Sequence, residues 1–87
     1  MWEAFLNKTV VVDLRSPFVC LGTLVAVDGE YIELRDADFH DLRDTQSTRE
    51  NYVAQARATG IKRNRKRVRV LRTEIVALCR IEDVVDS

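Results

Sequence analysis

Length, composition and charge limit what this chain can be. It has 87 residues, 46% of them hydrophobic, and 14 Lys and Arg balance 14 Asp and Glu, so the formal net charge is zero. We expect one domain, residues 1–87, because the chain is short and too hydrophobic to be intrinsically disordered. Its longest apolar stretch, Phe18–Val27, is about half of the ~20 residues that a membrane-spanning helix needs. The first residues lack the basic start of a secretory signal, so we expect a cytoplasmic protein.

The first residues predict a short helix. Trp2, Phe5 and Leu6 recur at i, i+3 and i+4, the spacing that gives a helix one apolar face. We expect this face to cap the core of its own domain. The alternative is an exposed docking patch for another protein.

A three-stranded meander is predicted next. Alternating and β-branched apolar residues predict three strands: residues 10–14, 18–27 and 31–34. Gly22 interrupts the second strand and is expected to be its bend. Asp28-Gly29 is typical of a two-residue hairpin turn, because both residues tolerate a positive φ.

The second half predicts an inserted helix and two more strands. Ser47, Thr48 and Glu50 belong to a capping-box pattern and Gly60 is a typical stop, so we expect a helix over about residues 48–59. Two strand-like runs complete the chain: residues 68–71 and 74–84. The fold is therefore predicted to be mainly β, a small, strongly bent five-stranded antiparallel sheet that curls into a barrel or pairs with another chain.

Charge is distributed unevenly along this neutral chain. Acidic residues dominate residues 28–50, whereas residues 62–72 contain no acid. The bases of that second segment are Lys62, Arg63, Arg65, Lys66, Arg67, Arg69 and Arg72. Such a block attracts phosphate, which makes nucleic acid a natural partner. The alternative is that the acidic and basic stretches neutralise one another, within one chain or between subunits.

Few residues suggest catalysis or metal binding. Cys20 and Cys79 lie in apolar runs, where a thiol packs like a small hydrophobic side chain. His40 lies among Asp residues whose spacing matches no metal site, so we expect it in a solvated loop. We therefore expect no enzyme, no cofactor and no metal. A thiol enzyme that pairs a Cys with His40 is the least favoured alternative.

One set of spaced residues resembles the first motif of the Sm-like (LSm) family. In that motif a hydrophobic strand ending in Leu is followed at fixed intervals by Gly, a second Gly, Leu and Asp. The matching residues are Val12, Leu14, Gly22, Leu24 and Asp28, with Pro17 at the first Gly position. Residues 71–78 resemble the short strand, sharp turn and final strand of the second motif, without its usual Arg-Gly pair.

The resemblance covers about residues 1–35 and 67–85, so residues 36–66 would form an enlarged loop with its own helix between the third and fourth strands. It implies a divergent Sm-like protein whose fourth and fifth strands pair with neighbouring subunits in a homo-oligomeric ring, hexameric or heptameric. A closed ring would also satisfy the strand edges that an open sheet leaves unpaired.

Many Sm-like proteins bind single-stranded RNA at the ring pore through two loops. Asp28 matches the Asp of the first loop and Arg72 the base of the second, whereas Glu30, Ile32 and Thr73 depart from the family pattern. Together with the basic block, the resemblance implies a non-enzymatic ring that binds RNA through a basic loop. The expected nucleic-acid-binding residues are Lys62, Arg63, Arg65, Lys66, Arg67, Arg72 and Asp28. The alternative is a scaffold ring without nucleic-acid binding, whose inserted helix docks a protein.

Overall fold

The computed structural model of the chain describes residues 1–44 and 46–85. Its strands are β1 (Thr9–Leu14), β2 (Phe18–Val27), β3 (Tyr31–Asp41), β4 (Arg65–Leu71) and β5 (Ile75–Arg80). The helix α1 (Arg49–Thr59) lies between β3 and β4. Short 3-10 helices lie at Trp2–Phe5, Leu42–Asp44, Arg72–Glu74 and Ile81–Asp83. The predicted order of helix, three strands, inserted helix and two strands is confirmed. No described helix is long and apolar enough to cross a membrane.

The strands form one antiparallel sheet in the order β4-β3-β2-β1-β5. The sheet bends so strongly that side chains from all five strands share one core, represented by Val12, Leu24, Leu34, Val70 and Leu78. β4 and β5 are its two edges, and no described strand pairs with the outer side of either. The predicted mainly β, strongly bent five-stranded sheet is therefore confirmed.

The N-terminal helix covers this core. Trp2, Phe5 and Leu6 pack against it, which confirms that the helix caps its own domain. The helix is a single 3-10 turn that ends at Leu6, where the backbone is extended, and Asn7 follows with a φ of 62°. The backbone N–H of Asn7 donates to the carbonyl of Leu24 (2.7 Å) and so leads the chain into β1.

The bend of β2 lies at Gly22, as predicted, and faces a bulge on β3. The register between the two strands shifts here, so Asp36 and Ala37 both lie opposite Gly22. Asp36 adopts a φ of 51°, which Asp tolerates better than most residues. A Cβ atom on Gly22 would lie 3.0 Å from the Cβ of Ala37 and 3.1 Å from the carbonyl oxygen of Arg35. This close approach is the physical reason for a glycine at the bend.

The β2–β3 hairpin lies where it was predicted, but a side chain closes its turn. The carboxylate of Asp28 accepts hydrogen bonds from the backbone N–H groups of Glu30 and Tyr31, both at 2.8 Å. Gly29 does not adopt a positive φ. The expectation of a positive-φ turn was therefore wrong, because the Asx turn of Asp28 replaces it.

α1 lies on the face of the sheet opposite the main core. The hydroxyl oxygen of Thr48 accepts the N–H of Asn51 (3.1 Å) at its start, and Gly60 ends it with a φ of 96°. Both ends of the predicted helix are thus confirmed. Its buried residue, Val53, packs on a second cluster formed by Val11, Val19 and Leu21. The sheet therefore buries apolar side chains on both faces.

The insertion is shorter than predicted. β3 continues to Asp41, so residues 36–41 belong to a strand and not to a loop. β4 begins at Arg65 and not at residue 68, so half of the expected basic loop is strand. The charged residues at the end of β3 and the start of β4 have a weak β-propensity. They remain extended because hydrogen-bonded pairing with a neighbouring strand stabilises the strand more than this propensity disfavours it.

β5 is also shorter than predicted, since it ends at Arg80 and a helical turn follows. Arg80 forms ion pairs with Glu82 (3.1 Å) and Asp83 (3.2 Å). A helical turn brings residues three apart to one side of the chain and so favours the second contact.

The close approach at Gly22 predicts a stability effect. Gly22→Ala is expected to lower the free energy of unfolding by about 1–3 kcal/mol, because the new Cβ has to displace backbone atoms of β3. Urea denaturation measures the loss. The control is Gly29→Ala, whose Cβ would meet nothing within 4 Å and whose backbone is unstrained, so its stability should be unchanged or slightly higher. Equal losses in the two variants would contradict this account of the bend.

Candidate nucleic-acid interface

Two turns at one end of the sheet bring Asp28 and Arg72 together. The guanidinium of Arg72 donates to the carbonyl oxygen of Asp28 (2.7 Å), and its backbone N–H donates to the carbonyl of Glu30 (2.8 Å). Hydrogen bonds from the backbone N–H groups of Tyr31 and Glu30 lower the pKa of the Asp28 carboxyl, because they stabilise its charged form. The two turn residues expected to act together thus lie in contact, with Asp28 ionised.

Trp2 lies beside this pair. The guanidinium carbon of Arg72 is 5.3 Å from the centroid of the Trp2 ring, a cation–π distance. Trp2, Asp28 and Arg72 line an open groove of about 500 Å³. This aromatic neighbour could not be predicted from the sequence, because Trp2 and Arg72 lie near opposite ends of the chain and only the curled sheet brings them together.

β3 and β4 turn a charged face away from the core. Leu34 and Val70 point into the core, so the residues that alternate with them point outward. On this face the Glu33 carboxylate accepts hydrogen bonds from Arg67 (2.9 Å) and Arg69 (3.2 Å). One carboxylate therefore binds two guanidiniums.

The same arrangement repeats at the β3 bulge. The Asp36 carboxylate accepts hydrogen bonds from Arg63 and from Arg35 (3.0 Å), and these contacts lower its pKa. Arg35 lies directly opposite Arg67 in the register of β3 and β4, so the two groups are adjacent. We call this set the arginine row, and its members are Arg35, Arg63, Arg67, Arg69, Glu33 and Asp36.

The arginine row has more cations than anions. Its four guanidiniums and two carboxylates leave an excess of two positive charges, and the arginine side chains are 45% to 67% exposed. Within one chain, the acidic stretch therefore neutralises part of the charge of the basic stretch. Each guanidinium has five N–H donors, more than these carboxylates occupy, so donors remain for another anion.

The rest of the basic segment lies beside the row or apart from it. Arg65 lines a groove of about 440 Å³ together with Phe39, Val68 and Arg69 of the row. Lys62 lies beside α1, and within the described residues neither Lys62 nor Lys66 forms an ion pair. The expectation of one continuous basic loop was wrong, because part of the segment belongs to strand β4 and its side chains lie in different places. Arg69 belongs to the predicted basic segment but was not among the expected binding residues. Arg35 and Glu33 were missed because only the register of β3 with β4 places them beside Arg67 and Arg69.

A polar cluster fixes α1 and the loop after it to β3. The hydroxyl of Tyr52 donates to Asp38, and the Tyr52 ring stacks on His40 with 4.2 Å between centroids. The amide of Asn64 donates to Asp38 (3.0 Å) and to the carbonyl of Phe39 (3.1 Å), and accepts the N–H of Phe39 (2.9 Å). His40 thus packs in a strand, and its expected place in a solvated loop was wrong because the bulge at residue 36 hides the strand pattern.

The two thiols are packed as structural side chains. Cys20 is fully buried in the core, and this burial raises the pKa of its thiol to about 12. Burial also raises the pKa of the half-buried Cys79. Cys20 belongs to the main core, whereas His40 stacks on Tyr52 at the opposite face of the sheet. Across residues 1–44 and 46–85, no cluster of three or more His, Cys, Asp or Glu side chains could hold a metal ion.

The bent five-stranded sheet, its strand order and its N-terminal helical turn define an Sm-like fold. Among solved structures, the chain is similar to the Sm protein of Pyrococcus abyssii in complex with a uridine heptamer, with a TM-score of 0.61 and 18% sequence identity. The match covers 90% of this chain and 89% of that one. The fold that the sequence resemblance implied is therefore confirmed. No protein-family model and no curated protein matches the chain at a significant level.

The burial of Cys20 predicts its reactivity. At neutral pH a thiol-specific chromogenic disulfide should label Cys79 slowly and leave Cys20 unlabelled in the folded protein, whereas both should react after denaturation. Cys79→Ser isolates Cys20 and serves as the control. Rapid labelling of Cys20 in the folded Cys79→Ser variant would contradict the buried site and would favour the thiol-enzyme alternative.

Proposed function

We propose that this chain is a divergent, non-enzymatic Sm-like protein that assembles into a ring and binds single-stranded RNA. The observation that carries the proposal is the contact between Asp28 and Arg72 at one end of an Sm-like sheet. Two further observations support it. The similar Sm protein is in complex with a uridine heptamer, and the arginine row adds an excess of positive charge beside the two turns.

The groove at Asp28 has the groups that a nucleotide requires. The Asp28 carboxylate is ionised and uses Oδ1 for its own turn, so Oδ2 can accept a hydrogen bond from a base edge. Arg72 offers guanidinium N–H donors to a phosphate. Trp2 offers an aromatic face for base stacking, whereas Glu30 stands near the position of the base-stacking aromatic of the family.

The ring proposal rests on the two edges of the sheet. β4 and β5 have unpaired outer edges in the described chain, and each carries an exposed apolar side chain: Leu71 is 44% exposed and Val76 is 67% exposed. Pairing of β4 with β5 of the next subunit would satisfy both edges and bury both residues. An open apolar edge in a monomer would instead favour aggregation.

Native mass spectrometry tests the ring. We expect a six- or seven-subunit mass, and we expect Val76→Lys to shift the population strongly towards smaller species, because a charge would be buried at the paired edge. The control is Val85→Lys, since Val85 is 85% exposed and lies outside the sheet. A monomeric wild-type protein, or equal effects of the two variants, would count against edge pairing.

Fluorescence anisotropy with a labelled uridine heptamer tests RNA binding. Affinity should fall as salt rises, with a slope in log affinity of about −0.7 for each phosphate contacted. Arg72→Gln should weaken binding about tenfold, because one charge-assisted contact is lost.

Arg43→Gln is the matched control for this measurement. It also removes an exposed cation, but Arg43 lies beyond the far end of β3 and pairs with Asp41 (2.8 Å). The wild-type ring should bind at low salt. A ring that binds no RNA there would contradict the proposal and favour the scaffold alternative, in which the inserted helix docks a protein.

A further inference from the structure

We propose that the arginine row is a second RNA-contacting surface, which binds the phosphodiester backbone of a single strand as it leaves the Asp28–Arg72 groove along the outer face of β3 and β4. This inference rests on the proposed function. It adds two cations that the basic loop did not include, Arg35 and Arg69. It also gives a role to the two carboxylates of the row.

The row and the groove are continuous. Asp28, Tyr31, Glu33 and Arg69 line one small cavity of about 80 Å³ at the junction between them. From there the ion pairs lead along the sheet, because Glu33 joins Arg69 to its neighbours in β4. Tyr31 lies at the junction and offers a ring on which a base can stack. A strand bound in the groove therefore has a charged surface directly beside it.

The chemistry of the row suits phosphate. Its cations are all arginines, whose planar guanidinium matches phosphate oxygens with two parallel donors, while the ammonium of lysine is a point charge. Arg67 and Arg69 are two residues apart on one strand, so their side chains leave the same face about 6.6–6.8 Å apart. This spacing along one strand fits an extended backbone better than a single bound anion.

Assembly into a ring leaves the row accessible. Neighbouring subunits would pair through the hydrogen-bonding edges of β4 and β5, whereas the side chains of a strand project perpendicular to that direction. The α1 helix covers the β1–β2 part of the same face through Val53 and does not cover the row, whose arginines are 45% to 67% exposed.

The carboxylates of the row limit its attraction for RNA. Glu33 and Asp36 each bind two guanidiniums, so they compete with phosphate and repel it. Neutralising either carboxylate raises the charge of the row by one and frees two guanidiniums without touching a cation. The inference therefore predicts a gain of affinity, which damage to the fold could not produce.

The test measures anisotropy with two labelled RNAs, the uridine heptamer and a longer single strand, at several salt concentrations. Glu33→Gln should bind the longer RNA about threefold more tightly, with a steeper salt slope, and should bind the heptamer nearly as the wild type does. Asp36→Asn should act in the same direction, since Asn tolerates the positive φ of this position. Arg67→Gln should weaken binding of the longer RNA and reduce its slope by about 0.7.

Arg43→Gln is again the matched control, because it removes an exposed cation that lies beyond the far end of β3 and outside the row. It should change the affinity for the longer RNA less than Arg67→Gln does. Native mass spectrometry of each variant establishes that the compared species have the same number of subunits.

The possible outcomes separate this inference from the proposed function. If the longer RNA binds and responds to Arg72→Gln but not to Glu33→Gln and Arg67→Gln, the arginine row is overturned while the groove remains. If neither wild type nor Glu33→Gln binds either RNA, both proposals fail. If poly-glutamate binds with the same affinity and the same response to the variants, the row is a surface for acidic protein and its assignment to RNA is overturned.

Discussion

The contact between Gly22 and the bulge at Asp36 and Ala37 is the constraint on which the rest of the structure depends. Without a Cβ at Gly22, β2 approaches β3 closely enough to bend, and the bend lets side chains from all five strands reach one core. The same curvature brings the N-terminal helix to the β4–β5 turn. The groove between Trp2 and Arg72 is therefore a consequence of the bend in the middle of the sheet and not of any local motif.

The bulge also builds the charged face. Asp36 adopts its positive φ because an extra residue has to be accommodated opposite Gly22, and in that conformation its carboxylate meets both Arg35 and Arg63. Asp36 thus belongs to the bulge opposite Gly22 and also binds two of the four arginines of the row. Exposed ion pairs of this kind add little to the free energy of unfolding. Their effect is to hold guanidiniums in a fixed order on one face of the sheet.

Local sequence patterns predicted those helices and strands that are determined by interactions within their own segment. Apolar alternation located β1, and β-branched residues located β2. Thr48 and Gly60 marked the ends of α1, since a cap acts on its own helix. The continuation of β3 past residue 35 could not be predicted in this way, because the bulge changes which residues face the core. The arginine row could not be predicted either. Its members become neighbours through the pairing of Arg35 with Arg67, and a register between distant strands leaves no local signal.

The inserted segment divides the outer face of the sheet into two parts with different chemistry. Val53 of α1 covers the apolar part on β1 and β2. An ion pair between Arg49 and Asp13 (3.4 Å) and the hydrogen bond from Tyr52 to Asp38 hold the helix there. The charged part on β3 and β4 remains open. Because the helix covers the apolar side chains, the exposed remainder of this face is dominated by guanidiniums and carboxylates. In the proposed ring the edges of the sheet serve assembly, and the proposed ligand of the uncovered part of its face is a polyanion, because that part carries an excess of positive charge.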